Sequence, residues 1–132
     1  MPRPASDTLT ARESEVMMVL WERGPVTADV VRTSLPDDPH DSTVRTLLRV
    51  LEEKGYVRHT TTGKAYVYEA VVRRENAVRG AVRNLLKRFF DGSASALVQR
   101  LIEDEELSPE EIETLQREAQ RAERENRRGS ES

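Results

Sequence analysis

A chain of 132 residues can form one domain of ordinary size, or a small domain plus an extension whose apolar face needs a partner. Charged residues make up 34% and hydrophobic ones 36%, aromatics are few and the net charge is -3, a composition that fits a small helix-rich protein without a large enclosed pocket. The absence of cysteine excludes disulfides, thiolate metal sites and cysteine nucleophiles, and the only histidines, His40 and His59, are too far apart in sequence to suggest a cluster, so neither metal nor cofactor is expected.

The first residues, MPRPASDT, lack the apolar run of a signal peptide, and no stretch approaches the roughly 18 apolar residues of a membrane span. A cytoplasmic protein without membrane insertion is expected. Thr8 or Thr10 can cap a first helix, with Glu13 three residues after Thr10 as in a capping box. Val16, Met17, Leu20 and Trp21 form its apolar stripe, which ends at Gly24-Pro25. After a short Val26-Thr27 segment, a second helix is predicted from Ala28 to Leu35, with Val30, Val31 and Leu35 inward; the Pro36 to Asp41 break cannot continue it.

Asp41 or Ser42 is placed to cap a third helix whose buried stripe is Val44, Leu47, Leu48 and Leu51, and Gly55 ends it. The exposed side then carries Ser42, Thr43, Arg45, Thr46 and Arg49. Short polar side chains let a helix backbone approach base edges, arginine supplies a bidentate fork suited to guanine, and a threonine methyl can rest on that of thymine. Two runs of period two follow, YVRHTTT and AYVYEA, turned at Gly63-Lys64. Helix followed by hairpin is the order of a winged helix-turn-helix, in which Lys64 at the wing tip would touch phosphate, although any hairpin turn can carry a solvated lysine. Charge distribution agrees, since residues 42–88 hold eleven basic side chains against four acidic ones, a surplus of seven within an acidic whole.

Beyond Val72 the pattern is nearly continuous helix. One apolar stripe runs through Ala77, Val78, Ala81, Val82, Leu85, Leu86, Phe89 and Phe90 to Asp91-Gly92, and Ser93 or Ser95 starts a helix with Leu97, Val98, Leu101 and Ile102 inside. Ser108-Pro109-Glu110-Glu111 opens a last helix whose seam is Ile112, Leu115, Ala119 and Ala122. These helices hold too little apolar material for an independent core, so a homodimer is expected, with Val82, Leu85, Leu86, Phe89, Phe90, Leu97, Leu101, Ile112 and Leu115 at its interface. A two-fold axis would let two recognition helices read a palindromic double-stranded DNA operator. The fold class is therefore mainly α with a small antiparallel β wing. Residues 1–72 are assigned to an N-terminal winged helix-turn-helix domain, 73–126 to a C-terminal helical dimerisation domain, and 127–132 to a polar, disordered tail.

The segments LTARESEVMMVLWERGPVTADVV, STVRTLLRVLEEKGYV, GKAYVYEA and LLKRFFDGSASALVQRLIEDEELSPEEIETL closely resemble the penicillinase-repressor (BlaI/MecI/CopY) family of bacterial transcriptional regulators over about residues 8–120. The resemblance implies a dimeric repressor with its third helix in the major groove, which maps onto Ser42, Thr43, Arg45, Thr46 and Arg49. In the β-lactamase branch it also implies release by proteolysis, triggered by a membrane-bound sensor peptidase that leads to a cut at an Asn-Phe bond. The matching pair here is Arg100-Leu101, a departure from that pattern. Copper sensing through the cysteine-rich site of another branch is excluded, because there is no cysteine.

Competing readings attach to several residues. Trp21, Tyr66 and Tyr68 are assigned to packing, His59 to a satisfied strand histidine, and the acid-rich EDEELSPEE segment to capping and solubility, since it has no nucleophile, histidine partner or phosphate loop for catalysis. The alternative function is a non-catalytic adaptor using its winged helix for protein contacts. Against it stands the Thr/Arg face of the third helix, which has no exposed apolar residues.

Overall fold

A computed structural model describes residues 8–131; the preceding MPRPASD and Ser132 lie outside the described residues, as does the side chain of Glu131. The elements run α1 (Ala11–Arg23), β1 (Val26–Thr27), α2 (Ala28–Ser34), α3 (Asp41–Lys54), β2 (Val57–Thr62), β3 (Ala65–Ala70), α4 (Arg74–Phe89), α5 (Ala94–Glu103) and α6 (Pro109–Glu131). This is the mainly α architecture with a small antiparallel wing that the sequence predicts. Two compact units divide between Leu85 and Leu86, within α4.

In the first unit, α1 begins with a capping box. The Glu13 amide donates to Thr10 Oγ1 at 3.1 Å and the Thr10 amide donates to Glu13 Oε1 at 2.8 Å, satisfying two otherwise orphaned N–H groups. The inward faces of α1, α2 and α3 meet in a core of Val16, Met17, Leu20, Val31, Val44, Leu48 and Leu51, closed on the sheet side by Tyr56, Val57 and Tyr68. Val30 and Leu47 are only half-buried, because both sit at the edge of their stripes. Trp21 is also partly buried, and its indole N–H donates to the Val72 carbonyl at 3.0 Å, tying α1 to the chain just before α4.

The sheet has three strands in the order β1-β3-β2, all antiparallel. The Val26-Thr27 segment thus becomes a strand, Val26 opposite Tyr68 and Thr27 opposite Val67. Between β2 and β3, Thr62 pairs with Ala65, leaving Gly63-Lys64 as a two-residue turn. Gly63 takes φ +62° at the first central position, the place a type II′ turn gives to glycine.

The cap of α3 differs from expectation. His40, rather than Asp41 or Ser42, is the N-cap: its Nδ1 accepts from the Ser42 amide at 3.2 Å. Asp41 is the first helical residue, where its carboxylate faces the positive end of the helix dipole. The other end is a Schellman motif. Gly55, at φ +90°, donates to Glu52 O at 3.1 Å, and Tyr56 N donates to Leu51 O at 2.9 Å, with Tyr56 and Leu51 both buried.

In α4 and α5 no residue is buried, which corrects the placing of Leu97, Val98, Leu101 and Ile102 inside: Leu97 and Leu101 are half-buried, Val98 and Ile102 exposed. The reason is physical. Single helices of this length cannot cover both sides of an apolar stripe from their own chain. Ser93 caps α5, and Ser108 with Glu111 forms a capping box at α6. Residues 127–131, expected as a tail, are helical, with Arg127 paired to Glu123 one turn back at 3.0 Å. Among the described residues no helix is long and apolar enough to cross a membrane.

Candidate nucleic-acid interface

Because Val44, Leu48 and Leu51 point into the core, helical periodicity turns Ser42, Thr43, Arg45, Thr46 and Arg49 outward, and all five are exposed. The Ser42 hydroxyl lies 2.9 Å from His40 Nδ1. Both arginines already have carboxylate partners one turn away on the same helix. Arg45 Nε donates to Asp41 Oδ2 at 2.8 Å, a hydrogen bond that holds the guanidinium pKa above its ordinary value, and Arg49 Nη1 donates to Glu53 Oε1 at 3.3 Å.

The Schellman turn sends the chain from α3 directly into the hairpin, and an open cleft of about 540 Å³ lies between them. Its walls are Arg45, Thr46, Arg49, Glu52 and Glu53 from α3, and His59, Tyr66 and Tyr68 from the strands. A second cleft of about 500 Å³ joins Arg45 to Lys64, Tyr66 and the start of α2 at Ala28. Arg45 borders both. The two adjoining clefts thus bring together Arg45, Thr46, Arg49 and the wing-tip Lys64, whereas Ser42 and Thr43 are exposed on α3 but line neither cleft. Lys64 is exposed and makes no ion pair or hydrogen bond among the described residues.

Five residues of the cleft were not singled out for this surface by sequence: Glu52, Glu53, His59, Tyr66 and Tyr68. His59 Nδ1 sits 2.6 and 2.8 Å from the two Glu52 oxygens and stacks on Tyr66 at 4.4 Å between ring centroids, so α3, β2 and β3 are joined by one side-chain chain. Tyr68 is buried, and burial, then the nearby Glu52 charge, raises its hydroxyl pKa; Tyr66 is half exposed. The available signal was register, since His59 faces Tyr68 across the ladder and Tyr66 follows on the same face, whereas the aromatic spacing alone fits ordinary packing.

The residues expected at a dimer interface lie apart from this surface in the sequence, on α4 to α6. Val82, Leu85, Phe89 and Leu115 are exposed, and Leu86, Phe90, Leu97, Leu101 and Ile112 are half-buried. Arg100, of the expected cleavage region, is exposed within α5 and pairs with Glu103 and Asp104 at 3.9 and 3.3 Å.

Three helices, a hairpin wing and an outward Thr/Arg face define a winged-helix DNA-binding regulator of transcription. Residues 9–121 match the family model described as penicillinase repressor. The chain belongs to the penicillinase-repressor family of transcriptional repressors. It is 30% identical to the penicillinase repressor of Bacillus licheniformis over 105 residues, 78% of this chain and 82% of the relative. It is 27% identical to the methicillin resistance regulatory protein MecI of Staphylococcus aureus over 109 residues, 81% of this chain and 89% of the relative.

Proposed function

We propose that the protein acts in the cytoplasm as a homodimeric repressor that binds a palindromic operator, with α3 in the major groove and Lys64 of the wing on the flanking phosphate backbone. The observation that carries this reading is the convergence of Arg45, Thr46, Arg49 and Lys64 on one cleft-lined surface of a single unit. Thr43 and Thr46 offer methyl and hydroxyl contacts, Ser42 a short polar contact near the helix start, and the arginines reach base edges or phosphate. Dimerisation through α4 to α6 supplies the second reading head. Relief of repression by a sensor peptidase cutting near Arg100-Leu101 completes the scheme, supported by similarity to repressors named for penicillinase and methicillin resistance. Such a cut requires local opening of α5, because a protease needs extended chain.

The test is a gel shift on the tightest duplex the protein selects from a random-sequence library. Arg49→Ala is expected to weaken binding about 10- to 100-fold, the roughly 1–3 kcal/mol of one well-placed base contact, and Thr46→Ala less, with unchanged circular dichroism. Unaltered binding by both would remove α3 from the reading role, and an affinity insensitive to salt would favour the adaptor reading.

A further inference from the structure

The basic surplus of the central segment does not reside on the reading helix. Asp41, Glu52 and Glu53 balance Arg45, Arg49 and Lys54, so α3 carries no net charge. Nor are its cations idle: besides the two arginine pairs, Lys54 Nζ lies 2.8 Å from Glu13, and on the hairpin Arg58 Nε lies 2.6 Å from Glu69. Of the described cations on α3 and the hairpin, only Lys64 has no carboxylate within ion-pair distance. A surface built for undiscriminating attraction to phosphate would not be arranged this way.

We infer that Asp41 and Glu53 are specificity-determining residues of the DNA-reading surface, which act by holding Arg45 and Arg49 in ion pairs that lower their capacity to neutralise phosphate and leave their remaining N–H donors to base edges. The inference rests on the assignment of α3 as the reading helix. Both pairs are exposed, with side-chain exposures of 60% and 51% for Arg45 and Asp41 and 66% and 60% for Arg49 and Glu53, so water and DNA can compete for them. Each pair engages a single guanidinium nitrogen, Nε of Arg45 and Nη1 of Arg49. The remaining N–H donors of each fork stay available to a bidentate acceptor such as the O6/N7 edge of guanine, while the carboxylate steadies the arginine from behind.

Non-operator DNA offers chiefly phosphates. Its affinity comes from counterion release by cations that neutralise phosphate, and an arginine already neutralised by a carboxylate releases fewer. The same carboxylates also repel the backbone within a Debye length, about 8–10 Å at physiological salt. Phosphate neutralisation supplies essentially all of non-operator binding, whereas at the operator the paired arginines contribute chiefly through base contacts made by their free N–H donors, which the carboxylates leave intact. Asp41 and Glu53 thereby lower non-operator binding more than operator binding, which widens the ratio on which a repressor depends in a genome full of competing sites.

The test compares the full-length protein with Asp41→Asn, Glu53→Gln and the double variant, using the library-selected duplex and a scrambled duplex of the same length. Glu22→Gln, an exposed α1 acid with no ion pair among the described residues, serves as the charge control. The double variant is expected to bind scrambled DNA about 5- to 30-fold more tightly and the selected duplex no more than about 3-fold more tightly. On scrambled DNA its slope of log affinity against log salt should steepen by about 1–2, as two arginines become free to neutralise phosphate. The charge control should leave that slope unchanged. Equal gains on both duplexes, a slope no steeper than that of the control, or no gain at all would overturn the inference. Arg45→Ala and Arg49→Ala are run alongside: if they leave the selected duplex bound as before, the reading-helix assignment itself fails, a result distinct from loss of selectivity control.

Discussion

At the scale of single residues, Glu13 shows how one side chain can serve two elements. It is the only buried charged residue among those described, at 3% exposure, and its Oε1 accepts both from the Thr10 amide and from Lys54 Nζ, each at 2.8 Å. The start of α1 is thereby fastened to the end of α3. Burial opposes ionisation of Glu13, but the hydrogen bond from Lys54, with those at Thr10, outweighs it and lowers the pKa below the ordinary glutamate value. A carboxyl with a depressed folded pKa contributes stability that is present above its unfolded pKa and is lost as pH falls through the folded one. Glu13→Gln should therefore cost about 1–3 kcal/mol at pH 7, where it leaves Lys54 without its carboxylate. That deficit should shrink as pH drops below the ordinary carboxyl range of about 4.3. Urea unfolding at pH 7 and pH 3 checks this, and an equal deficit at both would mean the ion pair contributes nothing. The capping half of this role was legible in Thr10-x-x-Glu13, because a capping box is local. The Lys54 half joins residues 41 positions apart, and no local pattern announces such a pair.

At the scale of elements, the turns decide where the hairpin sits against α3. The capping box of α1, the glycine ends of α1 and α3, most of their buried stripes and the Gly63-Lys64 turn were readable because periodicity and glycine act locally, whereas the end of α6 was not. Strand β1 was not, since two residues carry no period and become a strand only by pairing with β3. The histidine cap of α3 was hidden for a related reason: serine and aspartate are the favoured caps, and His40 shows its role only through its Nδ1, which accepts from the Ser42 amide. The wing itself depends on Gly63. Nothing lies within 4 Å of where a Cβ would stand there, so a substitution meets only the strain of φ +62°. Gly63→Ala should destabilise the hairpin by about 1 kcal/mol, and Gly63→Asn by less, because asparagine tolerates the left-handed region better. Faster amide exchange at Thr62 and Ala65, with little change in the helices, is the expected signature. A global loss of protection would instead mean that the turn supports the whole core.

At the scale of the whole molecule, the helices before and after the wing contrast in how they handle apolar surface. The core residues of α1, α2 and α3 are buried to near zero exposure, while α4 and α5 bury none, and the exposed large hydrophobics include Val78, Val82, Leu85, Phe89, Val98, Ile102 and Leu115. The sequence already implied this shortage, but its misplacing of Val98 and Ile102 inside arose because a helical stripe signals only that a face will be covered, and not by which chain. A second copy is the occupant proposed above, and Phe89 is its most sensitive probe. It is 68% exposed, with the Arg88 guanidinium 5.4 Å from its ring centroid, so a partner that covered it would gain roughly 1.5–3 kcal/mol per protomer, and a two-fold axis would count that gain twice. Phe89→Asp buries a charge where that ring would pack, and sedimentation should show monomers at concentrations where the parent protein is dimeric. Because Phe89 contributes nothing to the buried core of the winged unit, that unit should keep its fold and its weak affinity for a half-site. Binding to the full palindrome should fall by orders of magnitude, since the second head no longer acts at a high effective concentration. A dimer that survives Phe89→Asp would move the interface to another face of α4 to α6.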